Sequence, residues 1–316
     1  MEPTSTAMAR VLATPELLER ILSFLDPVDL LRSGLLVCRQ WSSVVQVPSF
    51  WAWSLVRLDR DNFQDIFSSN RFSLISRCWL SYPLLTSHQI TNLLQWVDGG
   101  DGGNLSYLEV SGDLSEVSAE LLSRTVVTRL EVVDLIPARL SPEQLSLLVT
   151  SLETCHPARL RLRELRLSHL NLSLLEPASL VTGLLRLQRL CLARARMTEE
   201  QVRALLGGIA GAGASLALSQ LNMDDINLSS VPPRVLARAV LRLEVVSLNG
   251  CRLTDDQLTV LFTQLASQDK LSLRELYAQR GNYYLHNFNQ LHGGELHFIE
   301  DSLLDTVKSK LQSWLW

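Results

Sequence analysis

The sequence predicts an α/β protein: a small N-terminal unit of three helices, then a curved solenoid with an inner parallel sheet and outer helices. Three observations carry that prediction. Residues 14–51 hold apolar stripes at helical spacing, punctuated by prolines. From about residue 73, one apolar anchor recurs with alternating long and short steps. Apolar residues make up 47% of the 316, enough for a core that runs the length of such an array.

Residues 1–12 read as a flexible tail, and MEPTSTAMAR lacks the charged-then-apolar order of a signal peptide. Thr14 stands where it can cap the first helix, with Pro15 in the first turn and Glu16 near the positive helix end. Leu17, Leu18, Ile21, Leu22 and Leu25 then form a wide apolar stripe. Asp26-Pro27 stops that helix and starts a second, with Asp26 as its cap; Leu30, Leu31 and Leu35 follow. A third segment carries Val37, Trp41, Val44 and Val45 at helical steps, and Pro48 ends it. About 40 residues is the lower limit for folding without help. Each large apolar side chain left in water forgoes roughly 1.5–3 kcal/mol. Stripes this wide therefore imply a covering surface, supplied by the rest of the chain or by another protein.

The order of Pro15-Glu16-Leu17-Leu18, Ile21-Leu22, Leu25-Asp26-Pro27, Asp29-Leu30-Leu31, Val37-Cys38, Trp41 and Phe50-Trp51 resembles an F-box, over residues 13–54. The resemblance implies docking on a Skp-type adaptor and, through it, on a cullin ubiquitin ligase. It assigns adaptor contact to Pro15, Leu17, Leu18, Ile21, Leu22, Leu25, Pro27, Leu30, Leu31, Val37 and Trp41. One departure lies at the start: F-boxes usually open with Leu-Pro, and this chain has Ala13-Thr14, preceded by Leu12. The alternative reading is a helical cap that packs on its own chain.

Residues 55–72 (LVRLDRDNFQDIFSSNRF) read as a helical connector. The repeat follows, over 73–316. Its anchors are Leu80, Val110, Leu135, Leu167, Leu192, Met223 and Leu248, with steps of 30, 25, 32, 25, 31 and 25, so adjacent steps pair to 55–57. Four units share an echo: Leu85-Thr86 with Gln89-Ile90, Leu140-Ser141 with Gln144-Leu145, Met197-Thr198 with Gln201-Val202, and Leu253-Thr254 with Gln257-Leu258. Each Thr or Ser can cap a helix. The short units echo as well, in Gly183-Leu184-Leu185-Arg186-Leu187 and Ala239-Val240-Leu241-Arg242-Leu243. This pattern resembles the leucine-rich repeats of the ribonuclease-inhibitor-like subtype. Its clearest unit is Leu243–Leu258, with Cys251 at the family's Asn/Cys place; Pro83, Leu170, Ala195 and Ile226 depart there. Strands stack about 4.8 Å apart while helices need about 10 Å, so such an array curves with its strands inside.

The inner face is the expected target-binding surface. Its candidates are Trp79, Tyr107, Glu109, Asp134, Arg166, Asn222, Asp224, Asn249 and Tyr277, with the three aromatics as exposed hot spots. Near the end, Tyr283 to Phe298 suggests a hairpin turning at Gly293-Gly294, either a closing edge or a specificity loop. Asp301–Trp316 carries Leu303, Leu304, Val307, Leu311, Trp314 and Leu315 on one helical face and reads as a terminal cap.

Several chemistries find no support. A net charge of −4 leaves no basic footprint for nucleic acid. The longest small-apolar run, Ala204 to Leu218, is too short and too broken to span a bilayer. Five cysteines, odd in number and widely spaced, fit reduced thiols in the cytoplasm or nucleus. Asn104, Asn171 and Asn227 begin Asn-Leu-Ser triplets that read as turns. The glycine runs at 99–103 and 207–213 lack the Lys-Ser/Thr pair of a phosphate loop. His286, His292 and His297 lack the spacing of a zinc site, so no metal or cofactor is expected. Ser151 to Cys155 falls one residue short of an elongin-binding box and reads as a helix end. The expected function is therefore that of a non-enzymatic adaptor, which brings an unknown target protein to a Skp–cullin–F-box ubiquitin ligase. The alternative is a protein-interaction scaffold built on the repeats, without a ligase.

Overall fold

The structure, a computed structural model, describes residues 14–278 apart from 53, 69–70, 81–84, 101–102, 137, 214–215 and 268–271. The tail expected at 1–12, the hairpin at 283–298 and the cap at 301–316 lie outside the described residues. The chain divides into two compact units, one of residues 1–144 and 158–162, the other of 145–157 and 163–316.

The first unit opens with helices α1 (Pro15–Leu22) and α2 (Pro27–Asp29). A π-helical turn, Leu30–Gly34, leads to α3 (Leu35–Val37), α4 (Arg39–Val45) and α5 (Pro48–Trp51). Pro48 thus starts a further helix after the third segment ends. Asp26 caps α2 as expected, its Oδ1 accepting from the Val28 and Asp29 N–H groups at 2.7 and 3.2 Å. Thr14 holds the cap position of α1, but its hydroxyl makes no cap bond. Trp51 is fully buried and donates its Nε1–H to the Val45 carbonyl at 2.7 Å, which pins α5 under α4.

The connector contains a strand that the sequence reading missed. Strand β1 (Leu55–Leu58) precedes α6 (Arg60–Ser68) and a 3-10 turn at Arg71–Leu74. Four residues of alternating burial beside helical neighbours are too short to register as a strand by pattern. Strand β1 pairs in parallel with β2 (Arg77–Leu80), which pairs with β3 (Tyr107–Val110), which pairs with β5 (Val132–Asp134). A small second pair joins β4 (Gly112–Asp113) to β6 (Ala138–Arg139). Helices α7 (Ser87–Gly99) and α8 (Ala119–Arg129) alternate with the strands, and α9 (Pro142–Thr154) begins here and continues as part of the second unit. The Ser151–Cys155 stretch does fall at the end of α9.

The second unit repeats the plan. Its strands β7 (Glu164–Arg166), β8 (Arg189–Cys191), β9 (Gln220–Asn222), β10 (Val245–Ser247) and β11 (Glu275–Tyr277) pair in sequence order, all parallel. Helices α10 (Pro177–Leu184), α11 (Glu199–Gly211), α12 (Pro233–Val240) and α13 (Asp255–Ser267) stand between them. All seven sequence anchors are buried to within 1%.

Two devices join successive repeats, and both recur at the long period. The first is the echoed glutamine. In Gln201, the side-chain Oε1 accepts from the Thr198 N–H at 2.9 Å, and Nε2 donates to the Leu172 and Leu175 carbonyls at 2.8 and 2.7 Å. Gln144 reaches the Leu114 and Val117 carbonyls, and Gln257 those of Leu228 and Val231, in the same way. The capping motif is therefore also a latch to the preceding loop. The second device is an arginine that caps carbonyls near the end of an earlier helix. Arg129 donates to Asp98, Arg186 to Leu152 and Glu153, and Arg242 to Gly213.

Of the apolar residues expected at an Asn/Cys place, Pro83 lies outside the described residues, and Leu170, Ala195 and Ile226 are accommodated by backbone. Leu167–Leu170, Leu192–Ala195, Met223–Ile226 and Leu248–Cys251 each close a four-residue turn. Its third residue is left-handed: His169, Arg194, Asp225 and Gly250, with φ of 65, 58, 61 and 70°. The turn N–H groups of Leu167, His169, Leu192, Arg194, Met223 and Asp225 bond to carbonyls of the following repeat, so a backbone ladder replaces the polar side-chain ladder. Gly250 is favoured by its φ of 70°; a Cβ there would also lie 2.2 Å from Asp225 Oδ1, a side-chain atom that would have to swing aside. Asn171 and Asn227 serve as turn residues, each accepting at Oδ1 from the N–H and hydroxyl of the Ser two places on.

Candidate functional site

The N-terminal stripes are only half covered. Leu18 and Leu22, four residues apart on α1, are buried to 1% and 0%. Leu17 and Ile21, on the adjoining strip of the same helix, are 45% and 42% exposed, and Leu25 just beyond is 42% exposed. The stripe is wider than one contact can hide, so its two halves part company. Leu30 and Leu31 are buried beside Gly34, and Val37 is 56% exposed. Pro15 is exposed, while Pro27 and Trp41 are half-buried.

This sorting corrects part of the expected contact set. Leu18, Leu22, Leu30 and Leu31 have no accessible surface to offer an adaptor, because they form the segment's own core. Conversely, three exposed apolar side chains were not singled out: Phe24, Leu36 and Val47, the first of them 82% exposed. Phe24 lies in the turn after α1, seven residues past Leu17 and three past Ile21, so it continues the exposed strip just beyond the helix end. Among the described residues, all the exposed large hydrophobics except Leu174 fall within residues 17–47. Ordinary surfaces scatter such residues singly; gathering them on one short segment makes that segment the candidate docking surface.

The F-box-like family matches residues 15–55. The F-box-like domain thus coincides with the segment that leaves its apolar side chains uncovered, and the match supports docking of a Skp-type adaptor. No curated protein matches the chain.

The second candidate surface is the sheet face. In the first unit, Arg57, Trp79, Glu109 and Asp134 stand side by side on successive strands, as do Leu55, Arg77, Tyr107 and Val132. The Arg57 guanidinium lies over the Trp79 ring at 4.5 Å, and that of Arg77 over the Tyr107 ring at 4.7 Å. Tyr107 donates its hydroxyl to Glu109 at 3.1 Å. The aromatics expected to be exposed are therefore half-buried under or beside charged neighbours. Asp134 is 6% exposed, and its Oδ1 accepts from the Ile136 N–H, so the expectation of a surface contact is corrected there.

In the second unit the rows are Glu164, Arg189, Gln220, Val245 and Glu275, and Arg166, Cys191, Asn222, Ser247 and Tyr277. Glu164 is buried between two arginines, at 2.7 Å from Arg166 and 3.2 Å from Arg189. Asp224 accepts from the Ser247 hydroxyl and the Asn249 N–H, and its own N–H donates to Asn222 Oδ1. Tyr277 donates to Glu275 at 2.7 Å, and that bond to a carboxylate pushes its own phenol pKa up. The structure thus brings Asn222, Asp224 and Asn249 together as a hydrogen-bonded group, and leaves all three half-buried.

Burial also sorts the thiols. It pushes the Cys251 thiol up to about 12 and the Cys78 thiol further, while Cys38 is exposed. Among the described residues no group of three or more His, Cys, Asp or Glu is placed to hold a metal ion, and no helix is long and apolar enough to cross a membrane.

Proposed function

We propose that this protein is the substrate-recognition subunit of a Skp–cullin–F-box ubiquitin ligase. Helices α1 to α5 dock the Skp-type adaptor through Leu17, Ile21, Phe24, Leu25, Leu36 and Val37. The strand-helix array is a leucine-rich-repeat solenoid whose inner face binds the target protein. The chain itself catalyses nothing and works in the cytoplasm or nucleus. Its contribution is effective concentration, holding a target lysine near a charged conjugating enzyme.

The observation that carries this reading is the uncovered apolar set at residues 17–47, inside a segment that a known family matches. A scaffold whose helical cap packs only on its own chain would bury these side chains, as it buries Leu18, Leu22, Leu30 and Leu31. The period of 55–57, the recurring glutamine latch and the left-handed turns support the repeat assignment.

The test is affinity capture of tagged protein from cells, followed by mass spectrometry, for the parent and for Leu25→Asp. The parent is expected to recover a Skp-type adaptor and a cullin. The variant, which puts a charge into an apolar contact, is expected to lose both and keep its other partners. Recovery of neither by the parent would sink the ligase reading.

A further inference from the structure

The arginines on the two sheet faces are not equivalent. Arg166 and Arg189 in the second unit share the buried Glu164 carboxylate. Arg77 in the first unit makes no ion pair among the described residues; its guanidinium rests on the Tyr107 ring. Arg57 rests in the same way on Trp79, one strand across from its own. The two arginines sit on adjacent strands, two residues apart in register, a diagonal relation that spans about 7–8 Å in a sheet. Among the described residues the Trp79 Nε1–H is buried without an acceptor. This end of the face is rich in donors. The neighbouring carboxylates of Glu109 and Asp134 already accept from Tyr107 and from the Ile136 N–H.

A guanidinium stacked on an aromatic ring is held in place before a ligand arrives, and its N–H fork matches a carboxylate. We propose that strands β1 to β3 form the subsite for an acidic segment of the target, with a carboxylate of an Asp or Glu side chain clamped by Arg77. This rests on the reading of the sheet face as the target-binding surface. It assigns the first contacts of a target to the strands nearest the F-box-like segment in sequence.

The probe is a phage library of random peptides, selected on the full chain bound to purified adaptor. Recovered peptides are expected to be enriched in Asp and Glu over the unselected library. Binding of the selected peptide is expected to weaken about tenfold or more in Arg77→Gln, and comparably when its acidic residue is changed to the amide. Arg77→Lys, which keeps the charge but loses the fork, should restore part of the affinity. Arg189→Gln should leave it unchanged, as should adaptor capture in every variant. Peptides without acidic enrichment, or with full affinity for Arg77→Gln but reduced affinity for Trp79→Ala, would overturn the anion subsite and leave the sheet face standing. Insensitivity to every sheet-face substitution, or recovery of no peptide, would overturn both.

Discussion

Replacing Gln201 by Leu tests the repeat at its joint. The side chain is 1% exposed and makes three hydrogen bonds. Leucine of similar size removes all three. The Leu172 carbonyl keeps a second partner, the Leu175 N–H at 3.0 Å, so it is not orphaned. The Leu175 carbonyl and the Thr198 N–H lose the bonds that Gln201 gives them. The Leu175 carbonyl is buried and costs about 1–3 kcal/mol when left unpaired, while Thr198 is exposed and its lost cap bond costs about 1 kcal/mol, so the expected loss is about 2–4 kcal/mol. Gln201→Glu has nearly the same shape and sharpens the test, because it puts a carboxylate where two carbonyls expect donors. Burial among acceptors raises the folded-state pKa of that carboxyl above its unfolded value. Its penalty is therefore absent below about pH 4.3 and grows as pH rises above it. Gln89 is the internal control: it makes the cap bond but reaches no preceding carbonyl among the described residues, so Gln89→Leu should cost about 1 kcal/mol. Urea unfolding of the full chain, followed by far-ultraviolet circular dichroism at two pH values, reads all three. A Gln201→Leu midpoint indistinguishable from the parent's would refute the latch.

The remaining predictions separate neighbours that look alike in sequence. Gly207 and Gly208 are adjacent in α11, but a Cβ at 207 meets nothing within 4 Å, whereas one at 208 would lie 2.5 Å from Val181 Cγ1. Gly207→Ala should stabilise the helix by about 0.4–1 kcal/mol, and Gly208→Ala should destabilise by about 1–3 kcal/mol from overpacking. Thermal unfolding of the two variants checks the opposite signs. Alkylation at pH 8 with mass-spectrometric mapping should modify Cys38 first and leave Cys78 and Cys251 untouched until the chain unfolds, since their raised pKa values keep both as thiols at that pH.

These contrasts show what the sequence carried and what it could not. The anchors were legible because one buried apolar residue per strand repeats at a regular step. The Thr/Ser and Gln echo was legible as a cap, while its second role was not. The latch ends on backbone carbonyls 26–30 residues earlier, and a carbonyl leaves no mark in a sequence. The left-handed turns were hidden for a related reason. His169, Arg194 and Asp225 occupy a conformation usually signalled by glycine, and only Gly250 advertises it. At the docking segment, periodicity placed Leu17, Leu18, Ile21 and Leu22 on one stripe. It could not say which side of that stripe the chain would cover, because the answer depends on the packing of α4 (Arg39–Val45) against α1. Arg57 was missed because its strand is four residues long and sits among helices.

Half of the apolar stripe on α1 is core, and the other half is the proposed adaptor site. Calorimetric titration of a purified Skp-type adaptor into the parent, Leu25→Ala and Leu22→Ala, with the stability of each chain measured alongside, tests it most directly. Leu22→Ala should lose about 2–5 kcal/mol of stability. Leu25→Ala should keep the fold and lose about fivefold in affinity, as expected when a side chain still 42% exposed forfeits about 1 kcal/mol of further burial. Undiminished affinity in Leu25→Ala, or no heat of binding in the parent, would contradict the account.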